Sequence, residues 1–241
     1  MTPVLLPGNM CDARLWRGGD GVIVDGLAQA GLPPPVDADL TRDDSIAGMA
    51  ARALAATNGP LLPIGFSMGA IVAAEMWVQA PYRIAGLVLL GYNATADLPE
   101  RAAHRPVQQA EVRGGGLERV LVEELKPNYL AARNRNDLPL LALLRDMGMT
   151  LGPDVFVRQS EALRRRADRV DALATITVPT LIGCGAEDLL CPPDWHRRWA
   201  AAIADADYVL TPGAGHMLPL EAPAALSVQL ANWLKTGNFH D

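Results

Sequence analysis

Gly65-Phe66-Ser67-Met68-Gly69 is a G-x-S-x-G pattern, and its chemistry is that of a serine made into a nucleophile. An apolar run, Pro60 to Ile64, precedes it, and an apolar helix-like run, Ala70 to Ala80, follows. A strand that turns at once into a helix gives the pattern its mechanical meaning. The turn is so tight that the residues two before and two after the serine must be small. The serine is then held in a strained backbone conformation, with its hydroxyl projecting above the sheet. A serine hydroxyl needs a base to activate it, and the base needs a carboxylate to orient it.

With a serine at such a turn, the acid and then the histidine follow it along the chain. The histidines are His104, His196, His216 and His240. His240 stands next to the last residue and is expected to fray. His104 lies between Arg101 and Arg105 and reads as solvated. His196, in Asp194-Trp195-His196-Arg197-Arg198 at the start of an expected helix, reads as a surface residue. His216 stands in the turn-rich stretch Pro212-Gly213-Ala214-Gly215-His216-Met217, after the short strand Tyr208-Val209-Leu210, where the base belongs. The acid should follow the preceding strand. The β-rich run Val178 to Gly185 ends at Ala186-Glu187-Asp188, so both Glu187 and Asp188 stand at a strand end that opens into the crevice of a parallel sheet. Asp97 and Asp171 do not closely follow a clear strand. An oxyanion needs two backbone N–H groups. Met68 offers one at the helix N-terminus. The other is expected from the loop Pro7-Gly8-Asn9-Met10, after the first strand Pro3 to Leu6, with Asn9 as the candidate donor.

Strand and helix signals alternate along the chain, which predicts a parallel sheet covered on both faces. Val36 to Leu40 reads as a short strand. Asp43-Asp44-Ser45 caps a helix that runs toward Gly59. Pro60 to Ile64 and Ile84 to Leu90 are continuous apolar strands of the kind buried on both faces. A weak helix is expected near Val22 to Ala30, one opened by Pro192-Pro193, and a closing amphipathic helix over Ala224 to Lys235. The middle breaks the alternation. Helices are expected over Leu117 to Leu125, Leu138 to Met147 and Asp154 to Arg166, with Gly114-Gly115-Gly116 and Pro153 as punctuation.

Taken together, the chain resembles the α/β-hydrolase superfamily. Three blocks carry the resemblance: Leu6-Pro7-Gly8 with Trp16 downstream; Gly65-Phe66-Ser67-Met68-Gly69; and Gly185-Ala186-Glu187-Asp188 followed by Gly215-His216-Met217 and Glu221-Ala222-Pro223. Nearly the whole chain is covered apart from the middle. It is most similar to small bacterial esterases, lactonases and carbon–carbon hydrolases, including the enol-lactonases of aromatic catabolism. The resemblance implies Ser67 as nucleophile, His216 as base, Asp188 rather than Glu187 as acid, and Asn9 and Met68 as the oxyanion hole. It implies a core of residues 1–95 and 174–241, with a helical cap of residues 96–173 over Ser67. Two departures stand out. The family's common His-Gly is Pro7-Gly8 here, and the chain starts on the strand usually counted third, so about six strands are expected rather than eight. Some relatives place the acid after the next strand, where this chain has Tyr92-Asn93.

Composition bounds the rest. A length of 241 residues, half of them hydrophobic, suits one α/β fold with a sizeable core. A net charge of −6 without a prominent basic patch argues against nucleic acid. Arg164-Arg165-Arg166 reads as a solvated helix face. Three cysteines do not form a secreted disulfide framework or a metal motif; Cys184 reads as buried in a strand, and Cys11 and Cys191 as bordering the pocket. With no basic-then-apolar leader and no apolar run of spanning length, a cytoplasmic protein off the membrane is expected. Leu140, Leu141, Leu143, Leu144, Met147, Met149 and Phe156 are candidates for an apolar pocket or, more simply, for the cap's own core. Arg133, Arg135 and Arg145 are candidates to pair a substrate carboxylate. The expected activity is hydrolysis of a small carboxylic ester or lactone, with no metal or organic cofactor. The alternatives are carbon–carbon hydrolysis of a vinylogous diketone by the same triad, or a ligand-binding signalling protein with slow or no turnover. The sequence does not give the oligomeric state.

Overall fold

The computed structural model describes residues 1–125, 129–237 and 239, so His240 lies outside the described residues. Six strands, β1 (Thr2–Leu6), β2 (Val36–Asp37), β3 (Leu61–Phe66), β4 (Leu87–Leu90), β5 (Thr180–Gly185) and β6 (Ala206–Thr211), form one sheet in the order β2-β1-β3-β4-β5-β6. Every pairing is parallel. The chain leaves β1 toward β2 and then returns to the other side of β1 with β3. The order therefore reverses at β1, and a crevice opens beyond the carboxyl ends of β1 and β3.

The helices are α1 (Arg14–Arg17), α2 (Val22–Gln29), α3 (Ile46–Ala55), α4 (Met68–Gln79), α5 (Pro99–Glu111), α6 (Leu117–Arg119), α7 (Leu138–Arg164), α8 (Val170–Leu173), α9 (Pro193–Ala201), α10 (Leu218–Glu221) and α11 (Pro223–Thr236). Ser45 caps α3 as expected, its hydroxyl accepting from Gly48 N–H at 3.2 Å. Strand residues divide by parity between two cores. Val4, Leu6, Leu87 and Leu89 pack with α3, α4 and α9 on one face. Leu5, Ile64, Phe66, Val88 and Leu90 pack with α2, α11 and Trp16 on the other. This two-residue period, with both faces apolar, is why β3 and β4 read as unbroken hydrophobic runs.

Among the described residues between β4 and β5 the elements are helices, from α5 through α8. Its smaller core joins Val112, Leu117, Val120, Val155 and Phe156, with Met10 of the β1 loop packed among them. The break expected at Pro153 is present: Gly152 at φ 81° interrupts α7. Helix α5 does not appear in the sequence reading. Pro106 lies inside it, and its composition is strongly polar, so the apolar period that marks a helix is faint. Among the described residues no helix is long and apolar enough to cross a membrane.

Candidate active site

Ser67 sits between β3 and α4 with φ 53° and ψ −115°, a left-handed conformation that costs a non-glycine residue energy. Packing holds it there. Its N–H donates to Leu90 O at 2.8 Å. A Cβ on Gly65 would overlap the Gly69 carbonyl oxygen, and one on Gly69 would overlap the Leu6 carbonyl oxygen. The two small residues are thus demanded by the close approach of α4 to β3 and β1.

From Ser67 a hydrogen-bonded series runs inward. Ser67 Oγ lies 3.0 Å from His216 Nε2, and His216 Nδ1 lies 2.8 Å from Asp188 Oδ2. A carboxylate only accepts, so Nδ1 carries the proton and Nε2 presents its lone pair to the serine hydroxyl. Asp188 Oδ1 accepts the N–H groups of Leu190 and Cys191, both at 2.8 Å. Burial pushes the Asp188 carboxyl up, but His216 and the Cys191 N–H outweigh it, and the group lies below its ordinary pKa. Glu187 turns away and accepts from Ala132 N–H at 2.9 Å on an exposed loop. Asp97 and Asp171 are not in the series.

The histidine loop is braced by groups the sequence does not single out. His216 N–H donates to Tyr129 O at 2.8 Å, and its ring packs 5.1 Å from Phe66 and 5.7 Å from Tyr129. Glu221 accepts from the N–H groups of Gly215 and Ala131 at 2.9 and 2.7 Å, tying the loop to the helical insertion.

Asn9 and Met68, whose backbone N–H groups have no acceptor among the described residues, line the same cavity as Ser67. The Asn9 loop is set by Gln159 of α7, which is wholly buried. Gln159 Oε1 accepts from Met10 N–H at 2.8 Å and from Asn9 Nδ2 at 3.1 Å, while Nε2 donates to Leu40 O at 3.1 Å. Met10 at φ 53° is the strained residue this clamp holds. Gln159 gives no signal in the sequence beyond being a polar residue in an amphipathic helix.

Two sequence readings need correction. His196 is not a surface residue: it is fully buried, accepts Tyr92 N–H at Nε2 (2.8 Å) and faces Pro192 O through Nδ1 (3.2 Å). Arg166 is not part of a solvated face, because it is buried and pairs with Asp97 at 2.8 Å. Of the candidates for an apolar pocket or for core, Leu144 and Met147 are core residues on one face of the sheet and Phe156 is core in the insertion, so the simpler reading holds for these three. The cavity beside Ser67, of about 310 Å³, takes its insertion-side wall instead from α5, Leu125, Tyr129, Leu163 and Arg166. Arg133, Arg135 and Arg145 do not line it. Cys191 does, while Cys11 borders smaller neighbouring depressions. Among the described residues no group of three or more His, Cys, Asp or Glu is placed to hold a metal ion.

A hydroxyl, an imidazole and a buried carboxylate in series can attack a carbonyl carbon. The model of the alpha/beta hydrolase family matches residues 4–229. The chain belongs to this family. As a hydrolase it is 25% identical to a solved thermophilic esterase from Thermogutta terrifontis, with TM-score 0.86 over 98% of this chain and 90% of that one. The enol-lactonase from Burkholderia xenovorans LB400 shares the fold, at 22% identity and TM-score 0.79 over 97% and 90% of the two chains. BpoC of Mycobacterium tuberculosis, named as a non-heme bromoperoxidase, is 27% identical over 182 residues, 71% of this hydrolase and 66% of its own length.

Proposed function

We propose that this hydrolase cleaves a small carboxylic ester or lactone through an acyl-enzyme on Ser67. The observation that carries the reading is the unbroken series from Ser67 Oγ through His216 to the buried Asp188 at 3.0 and 2.8 Å. In this mechanism Ser67 Oγ attacks the ester carbonyl carbon as His216 Nε2 takes its proton. The backbone N–H groups of Asn9 and Met68 receive the developing oxyanion. Collapse of the tetrahedral intermediate breaks the bond to the alkoxide, which leaves with the proton from His216. Water, deprotonated by His216, attacks the acyl carbonyl; the carboxylic acid departs and Ser67 recovers its proton. Asp188 holds the Nδ1–H tautomer and stabilises the imidazolium. The helical insertion of residues 96–173 serves as the cap that selects the substrate. The names of the esterase and enol-lactonase relatives support an ester or lactone as that substrate.

The test compares wild type with Ser67→Ala on short and medium acyl esters, lactones and a vinylogous diketone. Turnover of one or more esters or lactones is expected, falling by several orders of magnitude in Ser67→Ala. Alanine keeps the elbow backbone, so Tm should stay within about 2 °C. Substantial ester hydrolysis by Ser67→Ala would defeat the assignment. Turnover of the diketone alone would replace it with carbon–carbon hydrolysis.

A further inference from the structure

We propose that the cavity beside Ser67 binds substrates that carry a free carboxylate, and that Arg101 is the residue that receives it. The substrate class is then a half-ester of a short dicarboxylic acid or a lactone bearing a carboxylate. The hydrolytic part of this statement rests on the serine-hydrolase reading above; the binding part does not.

The wall of the cavity is unevenly charged. Arg101, Arg105 and Arg166 line it, against two carboxylates, Asp97 and Glu124. Asp97 is shared between two of the arginines: Arg105 Nε donates to its Oδ2 at 2.5 Å, and Arg166 Nη1 donates to its Oδ1 at 2.8 Å. Its side chain is only 1% exposed, so this pairing is made away from water. Arg166 is otherwise spent on the carbonyls of Thr95, Ala96 and Leu163. Arg105 keeps Nη1 without an acceptor among the described residues. Glu124 is met from outside the cavity by Arg119 at 2.6 Å, and also accepts from Gln108 at 2.8 Å. Arg119 is shared with Glu111 and Glu123, and His104 Nε2 also lies 3.3 Å from Glu124, so Glu124 has partners of its own and makes no pair with Arg101.

Arg101, in the first turn of α5, has no carboxylate or carbonyl acceptor among the described residues, yet it lines the cavity. Its field crosses the lining. Burial raises the Tyr129 phenol and the Cys191 thiol, and Arg101 opposes the rise at both. A wall in which two guanidiniums share one carboxylate, with a third left open, presents net positive charge beside a partly enclosed space. A neutral acyl chain would leave those donors to water. A carboxylate would accept from the planar fork of Arg101 in a bidentate, charge-assisted pair. Ile71 and Leu163 offer apolar surface to the methylenes between the two functional groups. A volume of about 310 Å³ restricts the ligand to a small one.

The experiment measures wild type, Arg101→Gln and Arg101→Lys on monoethyl and diethyl glutarate. It also measures calorimetric binding of glutarate and glutaramide to the same full-length proteins. Wild type should favour the monoanion by about tenfold or more in kcat/KM, largely through KM. Arg101→Gln should lower the ratio of monoester to diester by about tenfold and weaken glutarate more than glutaramide. Arg101→Lys should restore part of the ratio, because it keeps the charge and loses the fork. A wild-type preference for the diester, or a ratio and a glutarate affinity untouched by Arg101→Gln, would overturn the proposal. If neither ester is cleaved while glutarate still binds in an Arg101-dependent way, the carboxylate site stands and the ester-hydrolase reading falls.

Discussion

Glu187 and Asp188 are adjacent in the chain and opposite in environment, and the difference decides what each can do. Asp188 is buried against His216 and two backbone N–H groups, whereas Glu187 spends its carboxylate on Ala132 N–H at the surface. Asp188→Asn puts an amide where only an acceptor holds the working tautomer, so kcat should fall by about three to four orders of magnitude. Glu187→Gln should cost roughly twofold or less, as a surface change outside the series. Steady-state kinetics on one ester checks both, and a larger loss in Glu187→Gln would reassign the acid. Ser67 and His216 are legible in the sequence because local turn chemistry marks them: glycines flank the serine, and a Pro-Gly loop carries the histidine. Pattern alone leaves Asp188 and Glu187 equivalent, since nothing local says which neighbour turns inward. His196 and Arg166 are misread for a related reason. Their burial depends on distant partners, Tyr92 and Asp97, that no window around them contains.

Between elements, the longest reach in the site is from α7 to the loop after β1. Gln159 closes three hydrogen bonds there, to Asn9, Met10 and Leu40, and thereby fixes the backbone of the loop that lines the cavity. The helical insertion is thus a structural support of the proposed oxyanion hole as well as a wall over it. Gln159→Leu keeps the bulk and removes the clamp. It should lower kcat by about tenfold to a hundredfold with little change in KM, because a displaced oxyanion donor is felt in the transition state. Gln159→Glu retains the acceptor for Met10 N–H and should recover part of the loss. A fall in Tm with kcat intact would reduce Gln159 to a packing role. The sheet and the flanking helices follow from their hydrophobic periods, and the order of elements shows in the sequence. Helix α5 does not, because its buried residues are Gln108 and Gln109 rather than large apolar ones.

Across the whole molecule, the acid loop, the end of β4 and α9 are joined through the imidazole of His196. Nε2 accepts Tyr92 N–H and Nδ1 faces Pro192 O, so the neutral ring satisfies both neighbours and the charged ring cannot. Burial lowers its pKa from 6.5 to about 4, with the Pro192 carbonyl and the Asp188 charge only partly opposing the shift. A native pKa below the unfolded one means that the unfolded chain takes up the proton first. The stability held by neutral His196 is complete above about pH 6.5, declines as pH falls toward about 4, and levels off below that. The full loss is about 3 kcal/mol, a sizeable part of the stability of an ordinary domain. Asp188 acts in another window. Its carboxyl lies below the ordinary value of 3.8, so its contribution holds above that pH and is lost only at more acid values. Urea unfolding at steps between pH 7 and pH 4.5 should therefore show stability falling steadily in wild type. His196→Gln offers an acceptor and a donor without a titrating group, and should flatten that slope. An equal slope in the variant would place the acid sensitivity elsewhere in the fold.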